Sequence, residues 1–339
     1  YTAKGGKMKN ILVIGGAGFI GSNLTEKLGL TNKYNVTVLL RKTSDPKFLK
    51  SKDIRLCYGD MLDKDSLKSA CAGVDTVFCL VNVRPAGKSP EEYNKELFLL
   101  HTEGTKNLLD ACKSNNVRRL IYFSSVAAIG YKKGINAYDE NSETDPIDAY
   151  GKAKLEAEKI LNDCIKKREM DITILRPPGV FGENGLGSLA KIIFFVKKGF
   201  VPILGNGENK QSITYVGNVV NEAIFLSDNA NSFGKTYITS DDRPYSVNEL
   251  VDTVAKTLNS NPFKLHIPVS LLMLLDTIVN LFGKALLKRE VVNRESIVAI
   301  STERIFDGSR IFREFDYKQE YDLTTGVQQT IGWREGKNV

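Results

Sequence analysis

Cysteine is scarce in this sequence and badly placed for a metal: Cys57, Cys71, Cys79, Cys112 and Cys164 include no pair at ligand spacing. Each lies in an apolar or helical stretch, and an odd count with no secretory signal predicts free thiols in a reducing, cytoplasmic setting. Long apolar runs are missing too. No stretch reaches the roughly 18 uninterrupted apolar residues that a spanning helix needs, which excludes an integral membrane protein. Nor does any window join a dense basic run to interleaved aromatics, so the net charge of +7 reads as solvated surface and not as a nucleic-acid footprint.

What is present describes a globular chain. Its 339 residues, 42% apolar and 26% charged, suffice for one large domain with an elaborated second part, or for two modest ones. The first seven residues, Tyr1 to Lys7, are expected to be an appended remnant ahead of a natural start at Met8. From Lys9 a short apolar run enters Gly15-Gly16-Ala17-Gly18-Phe19-Ile20-Gly21, followed by helical spacing through Leu24 and Leu28. In a strand, turn and helix context, Gly15, Gly18 and Gly21 let backbone N–H groups approach a pyrophosphate at a helix N-terminus. The spacing is Gly-x-x-Gly-x-x-Gly, which differs from Gly-x-Gly-x-x-Gly.

Further strand-like runs at 35–40, 54–61, 74–81 and 119–125, and a sixth that begins at 172 and passes into a turn-rich segment as far as 182, alternate with helical stretches. That order predicts an α/β protein with a doubly wound parallel sheet: a Rossmann-type dinucleotide domain over 8–176, then 177–339 as mainly substrate-binding, with some segments returning to the first part. Ligands sit outside the carboxyl ends of such strands. This nominates Leu80 as pocket lining, Asp60 beside Met61 as an acceptor for the adenine amino group or as a turn cap, and Ser125 for chemistry. After the second strand, where an NAD site places an acid for the ribose, the chain has Arg41-Lys42. A guanidinium holds a 2′-phosphate that an acid would repel, so NADP(H) is favoured over NAD(H), the alternative being solvated loop charges. Gly199-Phe200, Gly205-Asn206-Gly207 and Gly217-Asn218 predict irregular structure shaping a cleft, and 248–258 predicts a helix. The apolar segment 267–287, cut by Asp276, Asn280 and Gly283, predicts either a lid over the substrate or an interfacial membrane helix.

Tyr150 and Lys154 stand four apart on a predicted helix, so a phenol and an ammonium share one face. A free tyrosine titrates near pH ~10, so work near neutrality needs about 4 kcal/mol of phenolate stabilisation. One ammonium at about 4 Å supplies a similar amount at an effective dielectric near 20.

Together, Gly15-x-x-Gly18-x-x-Gly21, Ser125 and Tyr150-x-x-x-Lys154 resemble an extended short-chain dehydrogenase/reductase of the NAD-dependent epimerase/dehydratase family. The likeness runs on through Arg176-Pro177-Pro178-Gly179-Val180-Phe181-Gly182, Gln211 to Val219, and Tyr321 to Val327. It is similar within that family to bacterial nucleotide-sugar 4-ketoreductases and 4-epimerases of surface-polysaccharide pathways. The resemblance implies catalysis by Tyr150, Lys154 and Ser125, and a cofactor held by the glycine turn with Phe19, Ile20, Arg41, Asp60, Met61, Leu80, Lys154 and Pro177. It also implies a small-molecule substrate, a UDP-sugar, near Ser124, Gly179, Val180, Lys210 and Gln211, and a homodimer. Gln211 departs from the arginine that relatives often carry toward a substrate diphosphate, with Lys210 as a partial substitute. His101 replaces a common asparagine and is expected to be a satisfied packing residue and not a proton relay.

In reduction, Tyr150 is expected to protonate a ketone while Ser125 polarises its oxygen, with Ser124 as understudy. Val126-Ala127 after Ser125, where dehydratases of the family carry Asp-Glu, disfavours elimination. Three alternatives stay open: a 4-epimerase retaining NAD, a reductase of lipid-like, flavonoid-like or steroid-like ketones, and a non-catalytic nucleotide-binding scaffold.

Overall fold

The computed structural model describes residues 8–83, 85, 87–131, 137–185, 187–271 and 302–336. Its centre is a seven-stranded parallel sheet. In chain order the strands are β1 (Lys9–Ile14), β2 (Tyr34–Leu40), β3 (Arg55–Tyr58), β4 (Thr76–Cys79), β5 (Arg119–Phe123), β6 (Asp171–Arg176) and, after a long excursion, β11 (Lys235–Ile238). Their spatial order is β11-β6-β5-β4-β1-β2-β3, and it reverses direction between β1 and β4. Carboxyl-end loops part at that point, which is where doubly wound sheets bind ligands.

Burial on both faces explains the continuous apolar strands: all four residues of β4 are buried. One face is covered by α1 (Phe19–Gly29) and α6 (Val216–Asp228), through Leu24, Leu28, Val219 and Ala223. The other is covered by α2 (Lys64–Ala70), α3 (Pro90–Ser114) and α4 (Ala149–Lys166), through Leu67, Leu108, Ala157 and Leu161. The start of α3 is fixed by a capping box between Ser89 and Glu92, with Pro90 at the first helical position.

Beyond β6 the chain forms small paired strands. β7 (Gly179–Phe181) pairs in parallel with β10 (Ile213–Tyr215), and β8 (Phe200–Leu204) with β13 (Phe263–Ile267). β9 (Lys210–Gln211) runs antiparallel to β12 (Tyr245–Ser246). α5 (Ala190–Lys197), α7 (Val247–Thr257), α8 (Arg310–Glu314) and α9 (Leu323–Arg334) complete the described elements. The last of these returns to the first lobe, where Trp333 meets Phe48 edge-on at 6.2 Å.

Two expectations need correction. Gly217 and Asn218 do not mark irregular structure; they lie in the first turn of α6. Gly217 is small because the Tyr215 and Tyr321 rings press against it, and Asn218 bonds Asp241 and the Tyr321 backbone. The 172–182 run is two strands, β6 and β7, separated at Pro177-Pro178 because proline cannot donate to a ladder. Of the apolar segment 267–287, Ile267 closes β13, and everything past 271 lies outside the described residues. Among those residues, no helix is long and apolar enough to cross a membrane.

Candidate active site

The glycine turn is built by close approach. Gly15 adopts φ +88°, and a Cβ there would stand 2.7 Å from the Leu80 carbonyl oxygen. A Cβ on Gly21 would overlap the Gly15 carbonyl, so α1 packs directly on the turn. Gly18 caps α1 without a side-chain bond, and the first intrahelical donor is the Ser22 N–H, to Gly18 O at 2.8 Å. The N–H groups of Phe19, Ile20 and Gly21 therefore point out of the helix end with no side-chain cap, the seat a pyrophosphate needs. The half-buried Phe19 ring lies against Gly185 and Gly187. These residues fit a dinucleotide.

Arg41 and Lys42 follow β2 at its carboxyl end, beside this turn, and both are exposed. Asp60 uses one carboxylate oxygen to accept the Leu62 N–H at 2.9 Å, so it acts as a turn cap in this state. Met61 is buried against Gly104, and its carbonyl accepts from Asn107 at 3.1 Å.

Ser125 follows β5 and caps a short 3-10 turn, its Oγ accepting the Ala127 N–H at 3.1 Å. Asp148 caps α4 through the Gly151 N–H at 2.7 Å, and Gly151 approaches the Ala127 carbonyl so closely that a Cβ would overlap it. This contact holds Tyr150 against the serine turn. Burial pushes the Tyr150 phenol up to about 12, and a hydrogen bond with Ser125 opposes that rise.

Lys154 is fully buried, and burial lowers its ammonium to about 8, with Cys79 and Glu158 opposing. It donates to Phe123 O at 2.8 Å and Val81 O at 3.4 Å, and lies 5.8 Å from the Tyr150 ring centre and 5.3 Å from that of Tyr122. The expectation that Lys154 alone lowers the phenol is thereby corrected. Two backbone carbonyls hold the ammonium, and Ser125 is the group that opposes the rise. His101 is buried and neutral, pushed down to about 2 by burial and by Lys154, with Nδ1 3.0 Å from the Tyr122 hydroxyl.

Ser124 sits beside Ser125 with a buried hydroxyl that has no partner among the described residues. Pro177 accepts the Val126 N–H at 3.2 Å, which brings the Pro177-Pro178-Gly179-Val180 segment alongside the serine turn. Gly179 and Val180 are half-buried in β7. Lys210 is exposed, whereas the Gln211 amide donates to Thr302 O at 2.8 Å.

Sequence reasoning missed three contributors. Arg304 pairs by its backbone with β9 and lays its guanidinium 4.9 Å from the Tyr131 ring centre, linking the Gln211 strand to the serine loop. Glu158, four residues after Lys154, grips Arg176 with two buried bonds of 3.0 and 2.6 Å, locking α4 to β6. Helical spacing from Tyr150 through Lys154 offered that signal. Asp241 accepts from Thr214, Asn218 and Tyr245, and no local motif announces that hub.

A dinucleotide seat on a doubly wound sheet, with a hydroxyl, a phenol and an ammonium gathered at a strand end, is the arrangement of a nicotinamide-dependent oxidoreductase or epimerase of the short-chain type. The sequence model of the NAD dependent epimerase/dehydratase family matches residues 11–238, and the chain belongs to that family. It is 29% identical over 326 residues, 95% of this chain and 94% of the relative, to the N-acetyl-alpha-D-glucosaminyl-diphospho-ditrans,octacis-undecaprenol 4-epimerase of Escherichia coli O157:H7. It is 32% identical over 272 residues, 77% of this chain and 73% of the relative, to the decarboxylating sterol-4-alpha-carboxylate 3-dehydrogenase of Bos taurus. A solved UDP-glucose 4-epimerase with UDP-glucose from Thermotoga maritima shares the fold, with a TM-score of 0.74 at 20% identity over 96% of this chain and 99% of that one. The protein is an NAD(P)-dependent enzyme.

Proposed function

We propose that this enzyme is an NADP(H)-linked oxidoreductase acting at carbon 4 of a diphosphate-linked hexose, a UDP-sugar in the first instance, with reduction of the 4-ketone as its net reaction. The observation that carries this reading is the Ser125–Tyr150 hydroxyl pair beside buried Lys154 at the sheet's carboxyl edge. The Tyr150 phenol carries its proton at neutral pH and so can act as the acid; burial weakens it as an acid, and the hydrogen bond with Ser125 works against that. The phenol delivers that proton to the ketone oxygen, while Ser125 and the unpartnered Ser124 hydroxyl polarise the same oxygen. Lys154, anchored on Phe123 and Val81, turns its remaining proton toward the ribose and fixes its orientation. A dinucleotide held by its pyrophosphate at the glycine turn would supply the hydride from its nicotinamide. Arg41, exposed beside that cradle where an acid would repel a 2′-phosphate, supports NADP(H). Arg304 and Lys210 are the cations we place near the substrate diphosphate, in the absence of an arginine at 211. We further place the enzyme in the cytoplasm, as a homodimer through α3 and α4.

The second reading is 4-epimerisation with retained NAD, favoured by the activities of the Escherichia coli and Thermotoga relatives. One experiment separates them. Incubated with a UDP-4-keto-hexose and NADPH, the enzyme oxidises one NADPH per alcohol formed. Inversion of a UDP-hexose at carbon 4 with no net NADPH consumption establishes the epimerase instead, and turnover confined to a sterol-like ketone overturns both. Arg41→Ala weakens NADPH binding at least about tenfold while sparing NADH; equal losses for the two remove the NADP assignment.

A further inference from the structure

The two-stranded sheet of β8 and β13 is apolar on its outer face only. On the inner face Val201 and Ile203 of β8 are buried in the core, and their β13 partners Lys264 and His266 are polar, Lys264 pairing with Asp252 and His266 exposed. Residues paired in a parallel ladder share a face, so the outer face carries three rungs: Phe263 with Phe200, Leu265 with Pro202, and Ile267 with Leu204. None of the six is fully buried. Phe263 is 65% exposed, Phe200 and Leu265 are each 39% exposed, and the two phenylalanine rings stack at 6.2 Å. A strand with one face in the core ordinarily turns polar residues to water; β8 turns Phe200, Pro202 and Leu204 outward instead, and β13 sets its own apolar residues beside them. α5, which leads into β8, exposes Phe194 at 50% beside Lys191, Lys197 and Lys198. Lys197 pairs with Glu335, whereas Lys191 and Lys198 make no ion pair among the described residues. Past the far end of β13, Leu271 is exposed as well.

We infer that this face is a membrane-docking surface, seated on a bilayer that carries anionic lipid. The outer rungs and Phe194 enter the acyl boundary, and Lys191 and Lys198 stand at the level of the headgroup phosphates. The occupant is chosen by the chemistry of the rim. Exposed aromatics beside unpaired lysines complement an apolar interior under an anionic surface, as interfacial anchors do. A second copy of the chain would bring the same lysines together across a shared apolar face, which like-charge repulsion opposes. The inference stands apart from the assignment of substrate, because it concerns where the enzyme works and not what it reduces.

Flotation of the full chain with vesicles tests it. The protein floats with phosphatidylcholine vesicles containing phosphatidylglycerol and remains at the bottom with phosphatidylcholine alone at physiological salt. Phe200→Ser/Phe263→Ser raises the lipid concentration for half-binding at least about tenfold, and Lys198→Gln raises it about fivefold. Unchanged NADPH binding and an unchanged melting temperature show that these variants are folded. A chain that never floats overturns the inference, as does a double serine variant that floats like the parent. Conversion of a dimer to a monomer by the serine pair, with no vesicle binding by the parent, also overturns it and assigns the face to a second copy.

Discussion

At Lys154 the protein keeps an ammonium where water does not reach, held by two carbonyls and lowered to about 8 by burial. A charge that is costly to bury yet retained is a charge kept for function. Lys154→Met is therefore expected to abolish turnover while raising stability at pH 7 by about 1–3 kcal/mol. The sign with pH follows from linkage. The lysine binds its proton less tightly folded than unfolded, so its penalty is complete below pH 8 and disappears as pH rises toward its ordinary value of 10.5. Melts of both proteins between pH 7 and 10 check this, and an advantage that grows with pH refutes it. Ser125, Tyr150 and Lys154 were legible in the sequence because helical spacing and strand ends fix their neighbourhood. The distance from ammonium to phenol was not. It is set by carbonyls of β5 and of the loop after β4, which spacing along α4 cannot see.

Between elements, the site depends on how closely α4 meets the serine turn. Gly151→Ala places a methyl into the Ala127 carbonyl and forces α4 outward with Tyr150 on it. A displacement of even 1 Å at reacting groups costs about a hundredfold, so kcat is expected to fall by about that factor while NADPH affinity, seated on α1, changes less than about threefold. Stopped-flow turnover and cofactor fluorescence read the two separately; a parallel loss of both places the defect in folding. Local pattern served this scale unevenly. The inner strands of the central sheet, such as β4 and β5, show as apolar runs because both faces are buried, whereas α6 was misread at Gly217-Asn218, where a glycine that normally punctuates instead admits the Tyr215 and Tyr321 rings.

For the whole molecule, two buried acids couple folding to pH. Asp241 is raised to about 6, chiefly by burial, and Glu222 in α6 is raised well above its ordinary value of 4.5, first by burial and then by Asp241. Neither Glu222 oxygen has a partner among the described residues. Such acids bind protons more tightly folded than unfolded, so stability falls as pH rises from their unfolded values toward their folded ones. Glu222→Gln keeps the shape without the titrating proton and is expected to flatten the decline above pH 4.5, leaving the variant more stable than the parent at pH 7. Denaturant titrations from pH 5 to 8 measure it, and parallel profiles refute it. This hub was invisible in the sequence because its members, Thr214, Asn218, Asp241 and Tyr245, come from four separate elements and loops. The fold class was legible, since alternation of strands and helices is a local signal.

The strand order bears on how the chain is made. β6 is complete at Arg176, but its neighbour on the open side, β11, is not synthesised until Lys235–Ile238. While the ribosome adds the intervening stretch, a half-finished sheet presents Ile172 and Ile174 on an unpaired edge. Slow translation between 177 and 235 therefore lengthens the window in which two nascent chains can pair edge to edge, so inclusion bodies should respond to codon choice in that stretch more than to codon choice after 238.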